Sequence, residues 1–287
     1  MRVMVWNVWW RFGGNWRERE RSIVATMAAY RPDLLGLVEA WSGEGTDQSH
    51  RLAHPHGMHA TWAPTPAPPG PHPIDHGPAE LGPDQHSPGP GSGPGPGPGQ
   101  NGIDIGVGLV SRWPILRTDT HDLPNEQRGG PAPVALLATL DHPRGPLHVV
   151  VARVEGEPGF AVDQSAQCRA LAAIATDGRL DGPLPVLLLG DLNAAVDQVE
   201  LAPLVDAMVD TWAAAGADPS AVTLDSALPF APRRAVKQID RRIDHVFARP
   251  GRRGLMLSVR GAFLAGDRPI DGVYPSDHYA VGVDLDP

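Results

Sequence analysis

Nine short apolar runs recur along this chain, at 3–9, 34–38, 106–111, 134–140, 147–154, 186–189, 243–248, 257–263 and 279–284, and none exceeds eight residues. Their β-branched content and their bounding Gly or Pro residues read as strands rather than helices. Only three segments carry a helical pattern: 17–30, 164–175 and about 201–214. In the first, Ile23, Val24, Met27 and Tyr30 lie near one face and Pro32 closes the helix. More than eight strands with so few helices predict an α/β fold: two packed mixed β-sheets forming a sandwich flanked by helices.

A stretch at about 63–101 breaks this pattern. Residues 63–100 hold 13 prolines and 9 glycines and end in a Gly-Pro repeat. Such a composition cannot bury enough apolar surface to offset the entropy of ordering, so it predicts a disordered loop. It lacks the Gly at every third residue that a collagen helix requires. The 62 residues before it lack the sheet partners they need, which predicts a surface loop within a single domain over 1–287 rather than an interdomain linker.

Cys168 is the only cysteine, which excludes an internal disulfide framework and a Cys-based zinc site. No apolar run approaches a membrane span. The chain opens almost directly on Val3-Met4-Val5-Trp6, without a long signal-peptide core, so a cytoplasmic protein is expected, and a monomer. A net charge of −9 argues against tight sequence-independent binding to long nucleic acids. Against that balance, Arg233, Arg234, Lys237, Arg241, Arg242, Arg249, Arg252, Arg253 and Arg260 crowd one segment, opposed locally by Asp240 and Asp244. This segment is either a solvated basic face or a phosphate-attracting rim.

Five polar clusters sit where the apolar runs end or are interrupted. Asn7 follows Val3-Met4-Val5-Trp6, and Glu39 follows Leu34-Leu35-Gly36-Leu37-Val38. Asp191-Leu192-Asn193 follows Pro185-Val186-Leu187-Leu188-Leu189-Gly190. If the strand persists, Asp191 and Asn193 share a face, suited to a water and a phosphate oxygen; the alternative is an Asx turn. Asp277 directly precedes His278. Asp244, in Arg242-Ile243-Asp244-His245, can accept a hydrogen bond from His278 and hold its tautomer, or else pair with a neighbouring arginine. Carboxylates, an amide and an imidazole brought together are what a hard divalent cation and a water-activating apparatus need. Trp9 and Trp10, beside Asn7, form either a core wall or a surface for stacking on a substrate.

Taken in order, Val5-Trp6-Asn7, Leu37-Val38-Glu39, Gly108-Leu109-Val110-Ser111-Arg112-Trp113-Pro114-Ile115, Gly190-Asp191-Leu192-Asn193-Ala194, Arg242-Ile243-Asp244-His245-Val246-Phe247 and Pro275-Ser276-Asp277-His278 resemble the endonuclease/exonuclease/phosphatase superfamily. The resemblance implies the four-layer fold of pancreatic deoxyribonuclease and metal-dependent hydrolysis of phosphate esters. It implies Glu39 as principal Mg²⁺ ligand, with Asn7 and Asp277 beside it and Mn²⁺ as an alternative ion. It implies that Asp191 and Asn193 orient the attacking water and the phosphate. His278, held by Asp244, becomes the general base or a phosphate contact, so either Asp191 or His278 takes the proton. Two positions depart from the family pattern: Val38 stands where Gln is common, and Arg153 stands where the family has His.

At the end of an apolar strand, Arg153 is expected to reach the scissile phosphate bidentately. The alternative is a surface pair with Glu155 or Glu157. The expected activity is a phosphodiesterase or nuclease, with nucleic acid one substrate among several that the family accepts. The rivals are a phosphomonoesterase on a small sugar, inositol or nucleotide phosphate, and a non-catalytic phosphate-binding protein.

Replacing residues 66–99 with a short Gly/Ser linker is expected to leave the melting temperature nearly unchanged, because loop-closure entropy varies slowly with length. A loss of more than about 10 °C in a thermal melt would show that the stretch packs on the fold.

Overall fold

Alternation of side chains along the strands builds three separate apolar layers. In a computed structural model that describes residues 1–12, 15–67, 102–229, 231, 239–251 and 258–286, the strands and helices run in the order β1 (Arg2–Asn7), α1 (Trp16–Tyr30), β2 (Leu34–Gly43), β3 (Thr46–Asp47), α2 (Gln48–Ala53), β4 (His59–Pro64), β5 (Asp104–Ser111), β6 (Ile115–Asp122), β7 (Val134–His142), β8 (Gly145–Arg153), α3 (Ala161–Ala175), β9 (Val186–Asp191), α4 (Ala202–Ala207), β10 (Val209–Asp210), α5 (Thr211–Ala214), β11 (Asp244–Arg249), β12 (Ser258–Ala265) and β13 (Ala280–Asp286). One sheet has the order β12-β13-β1-β2-β5-β4, with β3 paired to β2. The other has the order β10-β11-β9-β8-β7-β6. Both are mixed: β1 runs parallel to β2, and β8 parallel to β9, while the remaining pairs are antiparallel.

Odd positions of β1, β8 and β9 (Val3 and Val5, Val149 and Val151, Leu187 and Leu189) fill the layer between the sheets. Even positions of the first sheet, Met4 and Trp6 on β1, meet Ile23 and Met27 of α1 and Leu52 and Ala53 of α2. Even positions of the second, Val150 and Ala152 on β8, meet Cys168 and Leu171 of α3 and Leu204 of α4. Helix, sheet, sheet and helix thus stack as the expected sandwich.

All nine sequence-derived strands are present. The additional strands share a cause. β4 and β6 are the edges of their sheets, β10 is another edge, and β3 is two residues long. Edge strands face solvent with polar residues, as the mostly exposed Ile115–Asp122 does, and so lack an apolar signature. β4 also carries the chain into the Pro/Gly stretch. Ala63 is buried, the Thr65 hydroxyl accepts from Val134 N at 3.1 Å, and Ala67 packs on the Trp10, Phe12, Trp41 and Ile105 cluster. The fold therefore claims residues through 67, and 68–101 lie outside the described residues.

The helix expected over about 201–214 is instead two short helices separated by a strand. Met208 turns extended, Val209 and Asp210 pair with Ala248 and Phe247 of β11, and Asp210 then caps α5 at Trp212 N. Tertiary strand pairing overrides the local helical pattern here. On α1, Val24 is exposed; its place on the buried face is taken by Arg19.

Gly36, on the inner face of β2, abuts Leu189 of β9 in the opposite sheet. A Cβ there would lie 2.9 Å from Leu189 Cδ1. Gly36→Val is expected to overpack this contact and cost ~1–3 kcal/mol, lowering the melting temperature by several degrees. An unchanged melt would show that the sheets can part freely at this point.

Candidate active site

The apolar alternation that fills the inter-sheet layer continues one step further at one rim, where it turns polar. Extending Val3 and Val5 gives Asn7. Val149 and Val151 lead to Arg153, Leu187 and Leu189 to Asp191, and Ala248 and Val246 to Asp244. Arg153, Asp191 and Asp244 are neighbours in register across β8, β9 and β11. From the opposite sheet Asn7 Nδ2 donates to Asp191 Oδ2 at 2.9 Å, closing the rim between the two sheets.

Glu39 reaches the same place by another device. Strict alternation would aim it at the helices. Instead β2 bulges between Val38 and Ala40, and Glu39 adopts φ 55°. Bulges re-aim side chains, and a left-handed non-glycine residue persists only where its surroundings hold it. Its carboxylate, 2% exposed, lies 3.2 Å from Arg153 Nε. Arg153 is therefore not paired with Glu155, which Arg128 engages together with the backbone N–H groups of Gly156 and Glu157.

Asp191 and Asn193 form an Asx turn: Asn193 N donates to Asp191 Oδ1 at 3.1 Å, and Asn193 has φ 49°. The Asx turn is the alternative seen, and it leaves Asn193 Nδ2 donating to Val154 O and Oδ1 buried without a partner. His245, which burial lowers to about 3, lies with Nε2 2.8 Å from Ala194 O and Nδ1 2.7 Å from Arg242 Nη1. A neutral ring fits this position, donating from Nε2 and accepting at Nδ1, and it fixes the segment that follows Asn193. Gln164 Nε2 donates to Leu192 O and Asn193 O from the other side.

His278 Nδ1 lies 2.8 Å from Asp244 Oδ2 with both side chains buried. Burial works to lower the imidazole, but Asp244, Asp277 and Asp191 outweigh it and raise His278 to about 10. Burial raises Asp244 to about 6, against the pull of His278. The 2.8 Å contact fits Nδ1–H donating to the carboxylate, with each group's charge favouring the other's. Thr223 Oγ1 accepts from Asp244 N and Ile243 N and anchors this strand end. Ser276 Oγ donates to Asn7 O and lies 3.3 Å from Asp277 Oδ1. Asp277 is 5% exposed at the same rim.

Sequence reasoning overlooked Arg19. This guanidinium, 1% exposed, donates from Nη1 to Val8 O and Pro275 O, and from Nη2 to Trp9 O, Trp10 O and Phe12 O. It ties the segment after Asn7 to the segment before Asp277. Burial lowers it to about 10, opposed by Asp277 and Glu39, so it stays charged. The available signal was its place four residues before Ile23, on the buried stripe of α1. Trp10 is core, its indole donating to Asp104 O, while Trp9 is half-buried under the Arg19 guanidinium.

The basic segment divides. Arg233, Arg234, Lys237, Arg252 and Arg253 lie outside the described residues. Arg242, Arg249 and Arg260 pair with Asp210, Asp181 and Asp286, and Arg241 lies 3.7 Å from Asp197.

Eleven side-chain polar atoms among the described residues are buried without a hydrogen-bond partner. Five converge here: Glu39 Oε1, Arg153 Nε, Asn193 Oδ1, Asp244 Oδ1 and His278 Nε2. Buried polar groups are normally paired, so a cluster of five calls for a ligand, an ion or water. Ligand atoms of Asp191, Asp244 and His278 also lie within 4.8 Å of one another. The carboxylates of Asp191 and Asp244 are oxygen donors of the kind that fits a hard divalent cation.

The sequence matches the Endonuclease/Exonuclease/phosphatase family over residues 4–278. Among solved structures, an endonuclease/exonuclease/phosphatase from Beutenbergia cavernae is 26% identical with a TM-score of 0.70, covering 99% of this chain and 71% of that one. D. rerio TDP2 complexed with a single-strand DNA product is 16% identical, TM-score 0.70, covering 100% and 99%. The human Nocturnin catalytic domain with a bound sulfate anion is 18% identical, TM-score 0.64, covering 100% and 94%. No curated protein matches. With the family match spanning nearly the whole chain and the sandwich shared with these structures, this chain belongs to the endonuclease/exonuclease/phosphatase family and is a phosphoric ester hydrolase.

Proposed function

We propose that the chain hydrolyses phosphodiesters with the help of a bound Mg²⁺, and that nucleic-acid strands are among its substrates. The observation that carries this reading is the convergence of five partnerless buried polar atoms at the rim where Asn7 bonds to Asp191. Glu39, Asn7 and Asp277 would hold the ion. Bound there, Mg²⁺ would supply charge neutralisation for the phosphate and the leaving oxygen; Mn²⁺ is the alternative.

The protein groups have separable tasks. Asp191, fixed by donors from Asn7 and Asn193, faces the rim and takes the proton of the attacking water. The acidic groups around His278 favour its protonated form, and in this reading its Nε2–H donates to a phosphate oxygen while Asp191 acts as the base. Asp244 keeps that proton in place. Asn193, whose Nδ2 has a second N–H besides the one given to Val154 O, would donate that to the phosphate, and Arg153 adds a positive charge. The arrangement supports in-line displacement, in which positioning and electrostatics supply most of the acceleration.

A panel of esters tests the reading: bis-p-nitrophenyl phosphate, p-nitrophenyl phosphate and a single-stranded oligonucleotide, each with Mg²⁺ and Mn²⁺. The oligonucleotide is the natural first choice because the TDP2 structure of this fold holds a single-strand DNA product. Preference for the monoester would overturn the diester reading. The lone thiol, Cys168, is buried and pushed up to about 12 by burial, which suits the cytoplasm that we propose as its compartment.

Glu39→Gln is expected to lower kcat/KM by about a hundredfold or more, and chelation to abolish turnover, since a sparse hard-ion site cannot spare a carboxylate. Full activity in chelator-treated, metal-free enzyme would refute this.

Gly156 backs onto Asn193, and a Cβ there would lie 2.5 Å from Asn193 Oδ1. Gly156→Ala is expected to displace the amide and reduce kcat/KM by roughly tenfold to a hundredfold. Its melt should stay within a few degrees, because a movable side-chain end absorbs the clash. Wild-type kinetics would remove Asn193 from the reacting geometry.

A further inference from the structure

Arg153 ends β8 with its side chain 10% exposed and Nε 3.2 Å from Glu39 Oε1. Neither atom has a hydrogen bond. The contact is thus a charge pair without directional bonding, between two groups that the fold has withdrawn from water. The other candidate carboxylate, Glu155, is engaged by Arg128 and two backbone N–H groups. A buried carboxylate needs a counter-charge, and Arg153 is the one in direct contact with Glu39, with Arg19 further away.

We propose that Arg153 is the resident counter-ion of Glu39, which a divalent cation must displace, and that the released guanidinium then takes a phosphate oxygen. This rests on the reading of Glu39 as metal ligand and adds a coupling to it. Arg153 Nε sits 3.2 Å from Glu39 Oε1 and repels a second cation at that oxygen, so metal entry there favours a state with Arg153 moved away. A guanidinium stays charged at any working pH and fits a phosphate oxygen pair in fork geometry. An anion that binds the released Arg153 holds it off Glu39 and thereby favours the metal; by linkage the metal favours the anion equally. A neutral side chain in that place would impose no such competition. The metal-free enzyme therefore carries a self-paired state whose population lowers the apparent affinity for metal until phosphate is present.

The test is calorimetric titration of Mn²⁺ into metal-free wild type, Arg153→Met, Arg153→His and Glu39→Gln, with and without inorganic phosphate as the anion. Arg153→His guards against a fold that does not tolerate an apolar side chain beside Glu39. Without phosphate, both Arg153 variants are expected to bind Mn²⁺ about tenfold tighter than wild type, the size expected when a competing charge pair is removed. Phosphate should tighten Mn²⁺ binding in wild type by a larger factor than in Arg153→Met. Equal or weaker Mn²⁺ binding by both Arg153 variants would overturn the counter-ion role while leaving Glu39 a ligand. Mn²⁺ binding by Glu39→Gln as tight as by wild type would overturn the underlying assignment of Glu39 itself, and the counter-ion role with it.

Discussion

The bond from Asn7 to Asp191 is the one contact on which the site depends. It joins the two sheets at the rim, each through the last residue of a central strand. Every other group at the rim is placed relative to one of these two. Arg153 and Asp244 flank Asp191 in register, Asn193 turns back onto its carboxylate, and Ser276 bonds to the Asn7 backbone just before Asp277 and His278. A sandwich whose layers could slide would lose the site before it lost its core. The inter-sheet layer of interlocked Val and Leu side chains therefore holds the candidate site as well as the core.

Four of the nine non-glycine residues with positive φ among the described residues lie in the same region. Trp9, Trp10, Glu39 and Asn193 all have positive φ, at 57°, 36°, 55° and 49°. Such conformations cost free energy in a non-glycine residue and persist when surrounding bonds over-determine them. Arg19 supplies much of that constraint. Its buried guanidinium collects the carbonyls of Val8, Trp9, Trp10 and Phe12 with that of Pro275, so two loops from opposite ends of the chain share one cation. The Trp10 N–H, donating to Glu39 O at 2.8 Å, extends the constraint to the bulge. Rigidity at the rim is paid for by one desolvated charge that is fully hydrogen-bonded at its Nη atoms.

The central strands were legible because each is buried on both faces and reads as an apolar run. The polar residues ending them stood out for the same reason: Asn7, Arg153, Asp191 and Asp244 occupy the next alternate position after a row of core residues. Glu39 followed a different path, since its inward aim depends on a bulge that no local pattern announces. β4, β6 and β10 were hidden because edge strands have a solvent face and polar sequence. The single helix expected around Met208 failed because pairing with β11 outweighed local propensity. Arg19 was hidden by its chemistry: a long cation on a helix is usually solvated, and only its i, i+4 relation to Ile23 hinted at burial.

Charge balance links the departure at Arg153 to the proposed choice of substrate. Four carboxylates, Glu39, Asp191, Asp244 and Asp277, meet three cationic groups, Arg19, Arg153 and His278. Counted with every group ionised, four carboxylates against three cations leave one negative charge in excess. A divalent cation reverses that to one positive, which a phosphodiester monoanion neutralises and a phosphomonoester dianion overshoots. With a neutral imidazole in place of Arg153, the same rim would hold one more negative charge and would end anionic with a diester bound. A buried site has little solvent with which to screen such an excess, so net neutrality of the loaded state is worth more here than on a surface. On this argument Arg153 exchanges easy metal entry for a complex of ion and diester that is electrically balanced.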